Sequence, residues 1–138
     1  MRYMIMVKMT EPSPPPSSEL LAAMGKLNAE MIAAGVLLGG EGLQPSKSGA
    51  KVKMEGGKLE VRDGPFTEAK ELLGGFWIIR ADSLEEAIGW VKKIPMWNEG
   101  EEVEVRRVSE VEDFTYDEVS AEALDREKAQ REDGSWPH

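Results

Sequence analysis

Residues 63–77 read Asp-Gly-Pro-Phe-Thr-Glu-Ala-Lys-Glu-Leu-Leu-Gly-Gly-Phe-Trp, and this stretch says most about the fold. Asp63-Gly64-Pro65 is typical of a tight turn, because Asp bonds its own backbone, Gly accepts unusual φ angles and Pro fixes φ near −65°. Gly74 and Gly75 allow another segment to approach closely before an apolar strand begins at Phe76. The stretch therefore predicts a turn, a charged segment and a strand start.

The strand that begins there is apolar on both sides. Residues 76–79 read Phe-Trp-Ile-Ile, as expected of a strand that is covered on two faces. Further strands are predicted at 2–8, 36–38 and 103–108, and residues 51–54 and 59–62 alternate around Gly56-Gly57 as a hairpin with one buried and one charged face. Gly39 to Pro45 is interpreted as a glycine-rich bend.

Two helices are predicted between these strands. Ser17 or Ser18 caps the first, whose apolar residues recur at helical spacing until Gly35. Ser83-Leu84-Glu85-Glu86 has the spacing of a capping box and opens the second, which Pro95 stops. The resulting order predicts an α+β split βαβ sandwich, with an antiparallel sheet, two helices on one face and an extra hairpin. Since two helices cover only one face, we expect a homodimer that pairs the other faces sheet to sheet.

Composition limits the classes of function. The net charge of −9 is concentrated at the end: residues 1–108 carry 14 Lys/Arg and 16 Asp/Glu, whereas residues 109–138 carry 3 and 10. We therefore divide the chain into a domain at 1–108 and an acidic extension at 109–138, mobile or docked on a partner, with a charged helix over 120–131. Clustered cations are missing, so nucleic acid is not an expected partner.

The protein is also expected to be cytoplasmic. No apolar run approaches the roughly 20 residues that span a bilayer, and the N-terminus reads as a first strand. No cysteine is present, which excludes disulfides and thiol nucleophiles. Acid-base or nucleophilic chemistry would come from carboxylates, Lys, Tyr, Ser or Thr. No cofactor or metal is expected.

Several separate motifs resemble the DGPF branch of the YCII-related family. They are residues 39–45, Asp63-Gly64-Pro65-Phe66 with the charged residues that follow, and residues 73–76, and the resemblance covers residues 1 to about 108. It implies a ferredoxin-like fold that dimerises through its sheet like the dimeric α/β barrels, in a small bacterial cytoplasmic protein. The family's wider membership carries a His-Asp pair proposed for acid-base work. The single histidine here is His138, so that pair cannot be transferred.

The candidate site lies on two loops, 39–45 and 63–71, at one end of the sheet. Its catalytic candidates are Glu41, Glu68 and Lys70, because a buried carboxylate with a raised pKa acts as a base and a lysine orients an anion or carbonyl. The candidate ligand-binding residues are Tyr3, Gln44, Asp63, Thr67, Glu71, Trp97 and Arg106.

Each candidate also has a purely structural interpretation. Asp63 serves its own turn, Phe66 plugs the core, and Glu68, Lys70 and Glu71 form a solvated ion-paired rim. Glu41 pins the two loops together by pairing with Lys70. An oxygen-only metal site from Glu41, Asp63 and Glu68 has no supporting spacing.

Two functional hypotheses stand side by side. The first is a homodimer that binds a small molecule in a loop-lined cleft, either as a binding protein or as a cofactor-independent enzyme. The second is a non-catalytic interaction module whose acidic tail is the contact. The family resemblance implies an association with sigma-factor regulation for this second hypothesis, because the genes of such proteins often neighbour those of sigma factors.

Overall fold

The computed structural model describes residues 1–66, 72–95, 97–115 and 117–136, and shows an α+β fold with an antiparallel sheet. Its strands are β1 Arg2–Met9, β2 Leu37–Gly42, β3 Ala50–Glu55, β4 Lys58–Asp63, β5 Leu72–Arg80 and β6 Val103–Arg107. Its α-helices are α1 Ser18–Ala33, α2 Leu84–Val91 and α3 Glu118–Glu132. The predicted fold class is confirmed.

The main sheet has the order β2-β5-β1-β6, and all three pairings are antiparallel. β5 therefore separates the two strands joined by α1, and β1 separates the two strands joined by α2. This interleaving of two βαβ units is the ferredoxin-like arrangement predicted from the order of elements.

One face of the sheet is covered by α1 and α2. The buried apolar side chains come from alternate strand positions and from one side of each helix: Tyr3, Ile5, Trp77, Ile79, Ala81, Leu27, Met31, Ala87 and Val91. The Trp77 indole donates a hydrogen bond of 2.8 Å to the Asn28 side chain on α1. Both serine N-caps form as predicted, since Ser17 Oγ accepts from Leu20 N and Ser83 Oγ accepts from Glu86 N. The second half of the predicted capping box differs, because the Glu86 carboxylate accepts from Asp82 N and not from Ser83 N.

The opposite face, here called the open face, has no helix of the two βαβ units against it. Its central positions are Met4, Met6, Phe76 and Ile78, which the register places side by side on β1 and β5 and which are half-buried. Residues directly opposite each other in a ladder point to the same side, so Glu41, paired with Phe76, belongs to this face as well. The open face thus has an apolar centre and charged margins.

The glycine-rich stretch is a strand and not the predicted bend. β2 continues through Gly42, with Gly40 opposite Trp77 and Gly42 opposite Gly75. A Cβ on Gly40 would lie 2.7 Å from the Trp77 ring, and one on Gly75 would lie 3.1 Å from the Glu41 carbonyl. The glycines serve close strand packing here, which turn propensity alone does not reveal.

The β3–β4 hairpin forms around Gly56 and Gly57, both with positive φ, but the prediction of a buried face is wrong for the single chain. All twelve residues of the two strands are exposed. The apolar side, made of Val52, Met54, Leu59 and Val61, is between 62% and 68% exposed. We call this hairpin the arm.

Candidate functional site

A cleft of about 680 Å³ lies at the end of the sheet where β1 begins and β5 ends. The sheet contributes Met1, Arg2, Leu38, Arg80 and Arg107. The opposite wall comes from the C-terminal segment, through a 3₁₀ turn at Val111–Asp113 and the helix α3. The cleft is therefore built between the βαβ body and the acidic extension.

Two arginines face each other across the strands at this end. Arg2 on β1 is directly opposite Arg80 on β5, an arrangement that is unfavourable for like charges. Glu110 neutralises the first, since its carboxylate accepts from Arg2 Nε at 2.8 Å and from a terminal guanidinium nitrogen at 3.0 Å. This hydrogen bonding raises the pKa of Arg2. Arg80 forms no ion pair with any of the described residues, so it leaves positive charge on the cleft wall.

A further ion pair holds the extension against the body, and another fastens α3 within the extension. Arg107 on β6 bonds the Asp113 carboxylate, which also accepts from the Glu110 backbone N–H at 2.7 Å. Glu112 pairs with Lys128 on α3 at 3.2 Å. The pKa of Asp113 is lowered by its bond from the Glu110 backbone and then by Arg107, and that of Glu112 by its own backbone N–H and then by Lys128.

The α3 residues on the cleft side have little apolar surface. Leu124, Glu127 and Arg131 are less exposed than their neighbours and recur at helical spacing. Arg131 pairs with Glu127 and lies 4.6 Å from the centre of the Trp136 ring, a cation–π contact. The helix Glu118–Glu132 spans the segment 120–131 for which a charged helix is predicted, and Lys128 ties it to Glu112 in the 3₁₀ turn.

Apolar residues from both walls complete the lining of the cleft. Its apolar lining residues are Met1, Leu38, Val111, Phe114 and Leu124, of which Leu38, Val111 and Leu124 are half-buried. Ten of the sixteen residues that line the cleft are charged, five of each sign, so the cleft combines apolar surface with balanced charge. The arrangement can hold a compound with one acidic group and an apolar body.

The residues predicted on the first loop lie toward the other end of the sheet. Glu41 is exposed on the open face, four positions along β5 from Arg80, which is about 13 Å at strand spacing. Gln44 is exposed in the connection after β2. Thr67, Glu68, Lys70 and Glu71 lie outside the described residues, and so does the predicted pair between Glu41 and Lys70.

The remaining candidates are dispersed over the molecule. Tyr3 is 4% exposed, in the core on the helix-covered side, so it does not meet Glu41. Arg106 lies on the open face opposite Met4, at the far edge from β2. Trp97 is 44% exposed in the loop between α2 and β6 and lines neither this cleft nor the second, polar hollow of about 430 Å³ near Lys8 and Glu102.

The Asp-Gly-Pro turn forms the base of the arm. Asp63 is the last ladder residue of β4, opposite Ala50, and Gly64 N donates to the Gly49 carbonyl at 2.9 Å. A Cβ on Gly64 would overlap the Ser46 carbonyl. Phe66 is half-buried with Lys51 Nζ 4.5 Å from its ring centre, so it is not the predicted core plug.

Ser46 fastens this base to the end of β1. Its Oγ accepts from Phe66 N at 3.0 Å, while its backbone N–H and hydroxyl donate to the Glu11 carboxylate. The bonds from the Ser46 hydroxyl and then its backbone lower the pKa of Glu11. The motif residues described in the structure thus serve to fix the root of the arm.

Sequence reasoning missed Arg2 and Arg80 as site residues. The signal was present, because Arg2 begins the predicted strand 2–8, Arg80 follows the predicted strand 76–79, and antiparallel neighbours bring the start of one strand to the end of the other. What could not be predicted was the position of Glu110 and α3. Among the described residues no group of three or more His, Asp or Glu is arranged to hold a metal ion, and no helix is long and apolar enough to cross a membrane.

Comparison with known proteins places the chain in a family. An uncharacterised protein of Rhizobium meliloti (strain 1021) is 38% identical over 52 residues, which are 38% of this chain and 42% of that protein. The aligned part is thus less than half the length of that relative. The model of the YCII-related domain matches residues 1–112, while membership of the DGPF branch stays a prediction. The chain belongs to the YCII-related family.

Proposed function

We propose that the protein is a homodimer that binds a small organic anion, with a carboxylate or phosphate group and an apolar body, in the cleft between the sheet and α3. The observation that carries this proposal is Arg80, a cation on the wall of a 680 Å³ cleft that lacks a carboxylate partner among the described residues. The other four cationic side chains that line the cleft each have a carboxylate partner.

Electrostatics favour an anion at this position. Arg2 and Arg80 are opposite each other, and only Arg2 has its carboxylate. An acidic group beside Arg80 would relieve the repulsion between the two guanidinium groups, and guanidinium forms two parallel hydrogen bonds to carboxylate or phosphate. The apolar lining residues then contact the rest of the ligand. Transfer of that part from water contributes about 0.8 kcal/mol of binding free energy for each methylene.

The open face supports the homodimer. Met4, Met6, Phe76 and Ile78 form a contiguous apolar strip at the centre of a sheet whose helices α1 and α2 lie on the other side. A twofold pairing of two such faces buries both strips. A catalytic role for Glu41, Glu68 and Lys70 is a separate proposal, and Glu41 lies toward the other end of the sheet from this cleft.

Calorimetric titration with acetate, butyrate, hexanoate, octanoate and inorganic phosphate tests the ligand proposal. We expect saturable binding of the longer carboxylates, with affinity rising about three- to fourfold for each methylene. Arg80→Gln should weaken this binding at least about tenfold, because it removes the charge-assisted pair.

The matched control is Arg126→Gln, a change of the same size on an exposed α3 arginine that does not line the cleft. It should bind like the unmodified protein. Equal binding by Arg80→Gln, or no binding by any member of the series, would refute the cleft as an anion site.

A further inference from the structure

We infer that the arm, strands β3 and β4, is a dimerisation element whose apolar face, Val52, Met54, Leu59 and Val61, packs against a second copy of this chain. The inference rests on the homodimer proposed above. It adds a surface that the pairing of two open sheet faces does not include.

The arm has two chemically different sides. Val52 pairs with Val61 and Met54 with Leu59, so the four apolar side chains share one face, each more than 60% exposed. The other face is charged, with Lys51 opposite Arg62, Lys53 opposite Glu60 and Glu55 opposite Lys58. A strand pair that meets water on both sides gains nothing from this segregation, so the apolar face is built to be covered.

The root of the arm is fixed although its strands are exposed. Ser46 bonds Glu11 on one side and Phe66 on the other, and Gly64 packs directly on the Ser46 backbone. A two-stranded hairpin without further packing is marginally stable in water. The fixed root therefore holds the apolar face in one direction, where no described residue of the same chain covers it.

The area that a stable dimer has to bury favours a second copy of this chain as the partner of the arm. The open face spans three strand spacings and about five residues, or roughly 14 Å by 17 Å, which is about 240 Å² in plan. Side chains make the accessible area larger than this flat area, but even twice the flat area is less than the roughly 800 Å² that each partner of a stable complex buries. Each arm face measures about 20 Å by 10 Å, so two reciprocal arm contacts add about 400 Å² to each partner and supply the difference.

The net charge gives an apolar contact between two copies a characteristic salt dependence. Each chain carries −9, so two copies repel each other unless salt screens them. Arm-driven association should therefore strengthen as salt rises, whereas association through ion pairs would weaken.

Sedimentation equilibrium of the full chain is the test, with Met54→Lys/Leu59→Lys as the disrupting variant and Lys53→Ala/Glu60→Ala as the control on the charged face of the same arm. A second variant, Val52→Thr/Val61→Thr, keeps strand propensity while removing apolar surface. We expect a dimer for the unmodified chain and the control, and at least about tenfold weaker association for both apolar-face variants with unchanged circular dichroism.

The outcomes separate the two proposals. If the unmodified chain is a dimer and the apolar-face variants dimerise equally well, the arm inference is overturned and the homodimer stands. If the unmodified chain is a monomer at all concentrations, both are overturned. Association that weakens with salt would also contradict an apolar arm contact.

Discussion

The arm and the C-terminal helix are both additions to the same ferredoxin-like body, yet they are attached in opposite ways. The arm has four large apolar side chains on one face and buries none of them, whereas α3 has one leucine on its inner face and is held by charge. The exposed apolar surface indicates a partner that is missing from the single chain. The ion pairs of the C-terminal segment, in contrast, are made within the same chain.

The two attachments should respond differently to conditions. Apolar burial is almost independent of salt screening, while exposed ion pairs weaken as the Debye length falls from about 10 Å at 0.1 M to about 3 Å at 1 M. A substitution at the root of the arm therefore tests the first attachment alone. A substitution of Arg2 and a change of pH test the second.

The largest effect is expected at Gly64. Gly64→Ala places a methyl group on the Ser46 carbonyl, so the root of the arm has to move, and we expect a loss of about 2 kcal/mol in the free energy of unfolding. Urea unfolding measures it. Gly49→Ala is the control, because a Cβ there lies 3.7 Å from the same carbonyl, in ordinary contact. Equal stability of the two variants would show that the root is not tightly packed.

A smaller effect is expected at Arg2. Arg2→Gln removes the two bonds to Glu110, and because both side chains are partly shielded we expect a coupling of about 1 kcal/mol in a double-mutant cycle with Glu110→Gln. Arg126 and Glu122, an exposed i,i+4 pair within α3, provide the control cycle, with a smaller coupling of about 0.3–0.5 kcal/mol. A coupling of zero would show that the ion pair between Arg2 and Glu110 does not stabilise the contact between the extension and the body.

How much of this was predictable differs between the body and its additions. Strand alternation and helix caps identify the core elements, because local periodicity reports which side meets the core. The prediction of a bend at Gly39 to Pro45 is wrong over Gly39 to Gly42, because the same glycines suit either a bend or a strand that packs closely against Trp77. The cleft was missed because ion pairs between Arg2 and Glu110, 108 positions apart, leave no periodic signal.

The smallest effect is expected with pH. The pKa values of Glu112 and Asp113 are below their ordinary values of 4.5 and 3.8, so their stabilising contribution is complete above those values and is lost as pH falls through the lowered ones. The difference in urea stability between the unmodified chain and Glu112→Gln/Asp113→Asn should therefore be largest near neutral pH and shrink below about pH 4. A difference that grows on acidification would contradict these contacts.

Hydrogen–deuterium exchange of the full chain at two protein concentrations, in about 0.05 M and about 1 M NaCl, compares both attachments in one experiment. We expect the amides of β3 and β4 to gain protection as the protein concentration rises and to keep it in high salt. Those of α3 should ignore concentration and lose protection in high salt. Arm protection that is independent of concentration, or α3 protection that rises with it, would contradict the account.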